Sequence, residues 1–309
     1  MIKEFTRPTL VEKRQAIGAL AGCPIVMRKA IENFEENFED INLPEPNDWL
    51  ANNFEHGQTF EQFKIYANIP TPKKNKFYIQ PYDTKITKNL LQILKDYSSC
   101  FFPGVNFIVR KPVDITKLDI EFREDSGFFQ YSSGNILKKM HKIAPLDRFA
   151  MIGITNEDMY HGEYSNFVFG LANVINKTGI FSFARYYQEF YGLPPDENLV
   201  VLRAVKVMIH EMCHMFGLLH CIYFKCIMNG SNHIDETDQK RLYLCPVCLR
   251  KLHLCLGFNP VERYYAIASK CEEIGGYFIN DADWYRSKAK IIENNLPKTI
   301  EKKIPKAKK

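Results

Sequence analysis

Three histidines and a glutamate stand at metal-site spacing in His210-Glu211-Met212-Cys213-His214-Met215-Phe216-Gly217-Leu218-Leu219-His220. A helix turns about 100° per residue, so His210 and His214 fall about 40° apart on one face, within reach of a single metal ion. Gly217 lies on the same stripe, where a residue free to adopt positive φ can end the helix and bring His220 round as a third ligand. Three imidazoles leave the fourth zinc position open, as a catalytic site requires and a structural site does not. Glu211 projects to the side of this stripe, beside the place a metal-bound water would occupy, and reads as the general base.

Four cysteines follow at once. Cys221 and Cys226 enclose four residues, Cys245 and Cys248 form Cys-Pro-Val-Cys, and 18 residues separate the pairs. Such pairs supply four thiolates that close a tetrahedral zinc site, so two zinc ions per chain are expected. Lys225, Arg241, Arg250 and Lys251 flank these cysteines and are placed to offset the negative charge of the thiolates. Cys213 reads as a small buried residue, while Cys23, Cys100, Cys255 and Cys271 have no paired spacing. His233 is expected near the cleft, and His253 at the surface or behind the ligands. Met228, in Cys226-Ile227-Met228-Asn229, fits the Met-turn that follows the third histidine of metzincins.

In these features the chain resembles the archaemetzincins (archaelysins), in their eukaryotic branch, whose HExxHxxGxxHC joins the catalytic motif directly to a cysteine-bound zinc. The likeness extends to Phe167-Val168-Phe169-Gly170, to the segment from Gly179 to Tyr186, to Gly230-Ser231-Asn232-His233 and to Val261-Glu262-Arg263-Tyr264. It covers the stretch from Phe77 to Trp284 and implies a zinc-dependent peptidase acting on peptides or proteins. The implied fold is α/β (α+β), a metzincin-like domain with a twisted five-stranded mixed sheet, an active-site helix and a four-cysteine zinc knuckle. The resemblance further implies that the strand from Phe167 to Ala172 is the antiparallel edge along which substrate lies, through Phe169, Gly170, Leu171 and Ala172. A rival reading is a zinc-stabilised binding module with little hydrolytic activity, contacting nucleic acid through its knuckle and basic tail. Glu211 favours the enzyme, because a purely structural three-histidine site has no need of a base.

These groups need elements to hold them. The stretch from Asn198 to Phe216 is apolar almost all round and reads as a core helix. Arg203 and Lys206 extend its polar stripe, and they either face a cleft or a polar network or mark a solvent-exposed first half of the helix. Upstream, Phe77 to Gln80, Val105 to Val109, Ala150 to Thr155, Phe167 to Ala172 and Gly179 to Phe183 read as strands, with helices over Lys85 to Tyr97 and Asn135 to His141. Residues 1–75 read as a helical and irregular extension, 76–290 as the catalytic domain, and the Lys-rich 291–309 as a disordered tail.

Hydrophobic content of 46% and charged content of 25% fit a globular protein, and a net charge of +5 is too small an excess to select nucleic acid as a partner. Nine cysteines are an odd number, with four assigned to zinc, which favours a reducing compartment over a disulfide framework. No segment approaches the ~18 to 20 apolar residues of a membrane span, and the start of the chain has no secretory signal pattern. A monomer in the cytoplasm or nucleus is the expectation.

Overall fold

The computed structural model describes residues 4–125, 127–163 and 166–297. Five short helices come first: α1 (Leu10–Ile17), α2 (Ile25–Ile31), α3 (Phe34–Asn37), α4 (Trp49–Asn52) and α5 (Phe60–Tyr66). An alternating region follows, with β1 (Lys76–Pro81), α6 (Lys88–Phe101), β2 (Asn106–Val109), β3 (Phe122–Asp125), β4 (Phe128–Ser132), α7 (Ser133–Ile143), β5 (Arg148–Thr155), β6 (Asp158–Tyr160), β7 (Gly170–Asn173) and β8 (Thr178–Ser182). The chain then turns helical through α8 (Glu197–Met215), α9 (Ile234–Gln239), α10 (Pro246–Leu256), α11 (Pro260–Ile274) and α12 (Ile279–Asn294).

The main sheet has the order β2-β1-β5-β8-β7, parallel except for β7, which runs antiparallel to β8 at one edge. Its centre, β5, is buried over all but its first residue, because helices cover both faces and an all-apolar run is what such a strand requires. One face carries α8 with α6 beside it, and α7 packs on β8 from the other. The α6 residues Leu91, Leu94, Tyr97, Ser98 and Phe101 are buried at helical spacing. A second sheet, β3-β4-β6, was not foreseen; its short strands carry too little alternation to stand out. The expected strand from Phe167 to Ala172 is shorter than foreseen, running from Gly170 to Asn173. Val168 N–H donates to Met159 O of β6, while regular pairing with β8 starts at Gly170.

The N-terminal helices lie on the C-terminal ones, with α1 and α5 against α10, and α2 against α10, α11 and α12. Helix α12 runs to Asn294, past the expected start of the tail at 291, because Ala289 and Ile292 are buried in the helical layer. The tail beyond residue 297 lies outside the described residues. Among the described residues no helix is long and apolar enough to cross a membrane.

Helix α8 starts at an Asp196 cap, whose carboxylate accepts the Leu199 N–H at 3.0 Å. Its polar stripe enters a polar network on α9. Arg203 grips both Asp238 oxygens, at 2.9 and 2.6 Å, and the Tyr186 carbonyl at 2.6 Å. The Lys206 ammonium donates to the carbonyls of Thr237 and Asp238, and burial pushes it down to about 8. Arg203 is buried and Asp238 partly exposed, so losing the charged hydrogen bonds in Arg203→Ala should lower unfolding free energy by about 2 kcal/mol. Chemical denaturation checks this; an unchanged midpoint would show that the network does not anchor α8.

Candidate metal centre

The last two turns of α8 carry His210, Glu211 and His214, and the chain reverses immediately afterwards. Gly217, at φ 98°, makes the reversal, a backbone state that a side chain would strain. His220 thereby returns to the other two histidines: one ring nitrogen from each lies within 4.8 Å of the others. His210 Nε2 and His214 Nε2 are 3.0 Å apart.

The opposite ring nitrogens are all engaged. His210 Nδ1 lies 2.8 Å from Ile227 O, His214 Nδ1 2.6 Å from Leu218 O, and His220 Nδ1 2.7 Å from Glu55 Oε1. A carbonyl or carboxylate oxygen can only accept, so each Nδ1 holds the proton and each Nε2 is left with a lone pair. Burial keeps His210 and His214 neutral, taking His214 down to about 3 and His210 well below the usual imidazole range. Lone pairs converging at 3.0 Å repel unless a cation lies among them. Neutral imidazoles fixed through Nδ1 are the donor set that zinc takes.

Glu211 faces the same space and rests against Gly170 of β7, where an added Cβ would come within 2.7 Å of Glu211 Oε1. Burial pushes its carboxyl up to about 8, with Lys240 pulling the other way. A cleft of about 550 Å³ opens over these groups. The run from Phe169 to Ala172 forms one wall, and Trp49, Glu55, Leu219, Ser231, Asn232 and Lys240 line other parts. His233 is turned away, its Nε2 2.9 Å from Asp48 Oδ1, and His253 packs edge-on to Phe258. Trp49, Glu55 and Lys240 escaped the sequence reading; they lie in stretches with no motif, and their approach is a tertiary matter.

Cys221, Cys226, Cys245 and Cys248 form the second cluster, all buried, with Cys221 Sγ 3.5 Å from Cys245 Sγ. Cys245 caps α10 and Pro246 occupies the first turn, which places Cys248 one turn along. Burial and mutual contact hold Cys245 well above the ordinary thiol range; burial opposes ionisation of Cys221 too, but contacts with the other three sulfurs draw it down. Four thiolates cannot share so dry a site without a cation. The basic residues around them are engaged elsewhere: Lys225 and Arg241 pair with Glu39, Arg250 binds the carbonyls of Ile17 and Ala19, and Lys251 binds Gln58. They clamp the N-terminal segment, and they do not form a free basic patch for nucleic acid. Cys213 is fully buried, and burial raises its thiol well above the ordinary range.

The two clusters share backbone. Cys221 N–H donates to Met228 O at 2.7 Å, Asn229 bonds Cys221 O, Phe224 O and the Cys226 N–H, and Ile227 N–H donates to Tyr243 O. Met228 itself is fully buried.

Comparison with known proteins follows the same lines. The sequence model of Peptidase family M54 matches residues 118–254. Archaemetzincin-2 of Pongo abelii is 33% identical over 329 residues, covering 95% of this chain and 90% of its own length. The archaemetzincin of Pyrococcus horikoshii is 48% identical over 176 residues, 57% of this chain and 93% of its own. A crystal structure of archaemetzincin from Methanopyrus kandleri aligns with a TM-score of 0.49 and 26% identity, over 62% of this chain and 99% of its own.

Because Ile227 joins the cysteine loop to His210, disturbing one cluster should disturb the other. Cys245→Ser should lower thermal stability and weaken zinc binding at the three histidines by about 10- to 100-fold. Chelator competition measures this, and undiminished affinity at the histidines would show the sites to be independent.

Proposed function

Since the chain belongs to the archaemetzincins, peptidase family M54, and is thus a zinc metallopeptidase, we propose that it hydrolyses peptide bonds at the centre formed by His210, His214 and His220. Glu211 is the general base, and a second, structural zinc sits on Cys221, Cys226, Cys245 and Cys248. The convergence of three Nε2 lone pairs, each fixed by an acceptor on Nδ1, is the observation that carries this reading.

Bound zinc supplies Lewis acidity toward the scissile carbonyl and lowers the pKa of water toward ~7. The remaining work falls to the chain itself. Glu211 takes a proton at its carboxylate as the water oxygen bonds to the peptide carbon, and hands it to the departing nitrogen as the C–N bond breaks. Trp49 and Leu219 line the same cleft as β7 and add apolar surface beside the reacting groups.

Substrate is held by strand addition. β7 pairs with β8 on one side and forms the sheet's edge on the other. Phe169 O accepts from Ser182 N–H, so the antiparallel alternation turns Phe169, Leu171 and Asn173 toward β8 and leaves the N–H and C=O groups of Gly170 and Ala172 on the open edge. An extended peptide can bond there, with its carbonyl carried past Glu211.

Purified protein should hold two zinc ions per chain, one removed readily by a chelator and one tightly held. Glu211→Gln should keep both and slow peptide hydrolysis by at least ~100-fold. Metal analysis with steady-state kinetics tests both statements, and unchanged turnover in that variant would overturn the assignment of the base. Ala172→Pro removes an edge N–H that a substrate needs. It should raise KM about fivefold, the scale of one hydrogen bond, without loss of metal. Equal KM would mean that peptide lies elsewhere.

A further inference from the structure

The segment from Asn47 to Gln58 belongs to no metal-site motif, yet it supplies the partner of the third histidine. Glu55 Oε1 accepts from His220 Nδ1–H at 2.7 Å and from the Trp49 indole N–H at 2.9 Å. The Trp49 ring stands edge-on to His220, with centroids 5.0 Å apart, and both Trp49 and Glu55 line the cleft. His210 and His214 are fixed by carbonyls of the loop that follows their own helix. His220 is fixed by a side chain 165 residues away in sequence.

The segment carrying it is held on both sides of Glu55. On one side the Trp49 N–H donates to Glu236 at 3.0 Å, and Asp48 meets His233 at 2.9 Å. On the other, Gln58 Nε2 donates to Gly217 O at 3.1 Å, while its Oε1 accepts from the Leu219 N–H at 3.2 Å and from Lys251. Gln58 therefore braces the reversal that delivers His220.

We propose that Glu55 is a positioning residue for the metal centre: held by Trp49, it fixes the proton of His220 on Nδ1 and aims Nε2 at the metal, which makes the N-terminal segment part of the active site. A carboxylate partner orients an imidazole and raises its basicity more than a carbonyl does, because the hydrogen bond is charge-assisted. The inference rests on the three-histidine zinc reading above.

The test uses the full chain as wild type, Glu55→Ala, Glu55→Gln and, as a control from the adjoining helix α5, Glu61→Ala, an exposed residue paired with Lys64. Zinc affinity is read by chelator competition, the His220 tautomer by nitrogen NMR of the metal-free protein, and folding by thermal denaturation. Glu55→Ala should weaken zinc binding at the labile site about 10- to 100-fold and lose the single Nδ1–H tautomer. Glu55→Gln, whose amide oxygen still accepts, should restore the tautomer and most of the affinity, and Glu61→Ala should match wild type. Wild-type affinity in Glu55→Ala would overturn the proposal. So would equal losses in Glu55→Ala and Glu55→Gln accompanied by equal losses of thermal stability, which would make the carboxylate merely structural. If His220→Ala leaves the metal content and labile affinity of wild type, the three-histidine reading fails first and takes the proposal with it.

Discussion

Three imidazoles must each keep a proton on Nδ1 at the foot of a cleft, and the rest of the structure follows from where their acceptors come from. Leu218 O is within reach of His214 because the chain reverses at Gly217. Ile227 O is available to His210 because the loop bearing Met228 is tied to Cys221 and Tyr243. The Glu55 carboxylate meets His220 because the N-terminal segment crosses the cleft and is held at Trp49 and Gln58. Helix α8 provides two of the rings, but it provides none of these acceptors. Its helical geometry makes the site possible, and three separate loops make it specific.

The cysteine cluster is arranged by a similar economy. One thiol adjoins His220 directly, a second lies two residues before Met228, and the remaining pair caps and opens α10. Through α10 the same region reaches outward, where Arg250 and Lys251 hold the N-terminal segment by its carbonyls and by Gln58. A closed chain of contacts thus runs from the thiols to α10, to Gln58, to Gly217 and Leu219, and back to His220. Residues that a sequence reader would assign to surface charge are interior fastenings.

The parts legible in the sequence were those encoded over short distances. His210, Glu211 and His214 are fixed by helical angle, Gly217 by the turn it must make, and the paired cysteines by their spacing. The strands of the main sheet were visible as apolar runs, and β5 most clearly. Contacts spanning 165 to 187 residues, such as Glu55 with His220 and Trp49 with Glu236, leave no local trace. Nothing in Asn52-Asn53-Phe54-Glu55-His56 distinguishes its glutamate from any solvated one. The late start of β7, at Gly170, was equally hidden, since an apolar run does not state where its pairing begins.

The crossing of the N-terminal segment over the cleft also sets an order of events in time. Ile17 is joined to Arg250, and Gln58 to Lys251, by contacts that cannot form until α10 has been synthesised. Pairings between such distant positions are slow to find because a long loop must close first. A nascent chain still held at its C-terminal end can thus complete helix α8 without completing the groups that aim His220. The order of the chain therefore places the groups that aim His220 under the control of α10, a helix that follows α8 by about thirty residues.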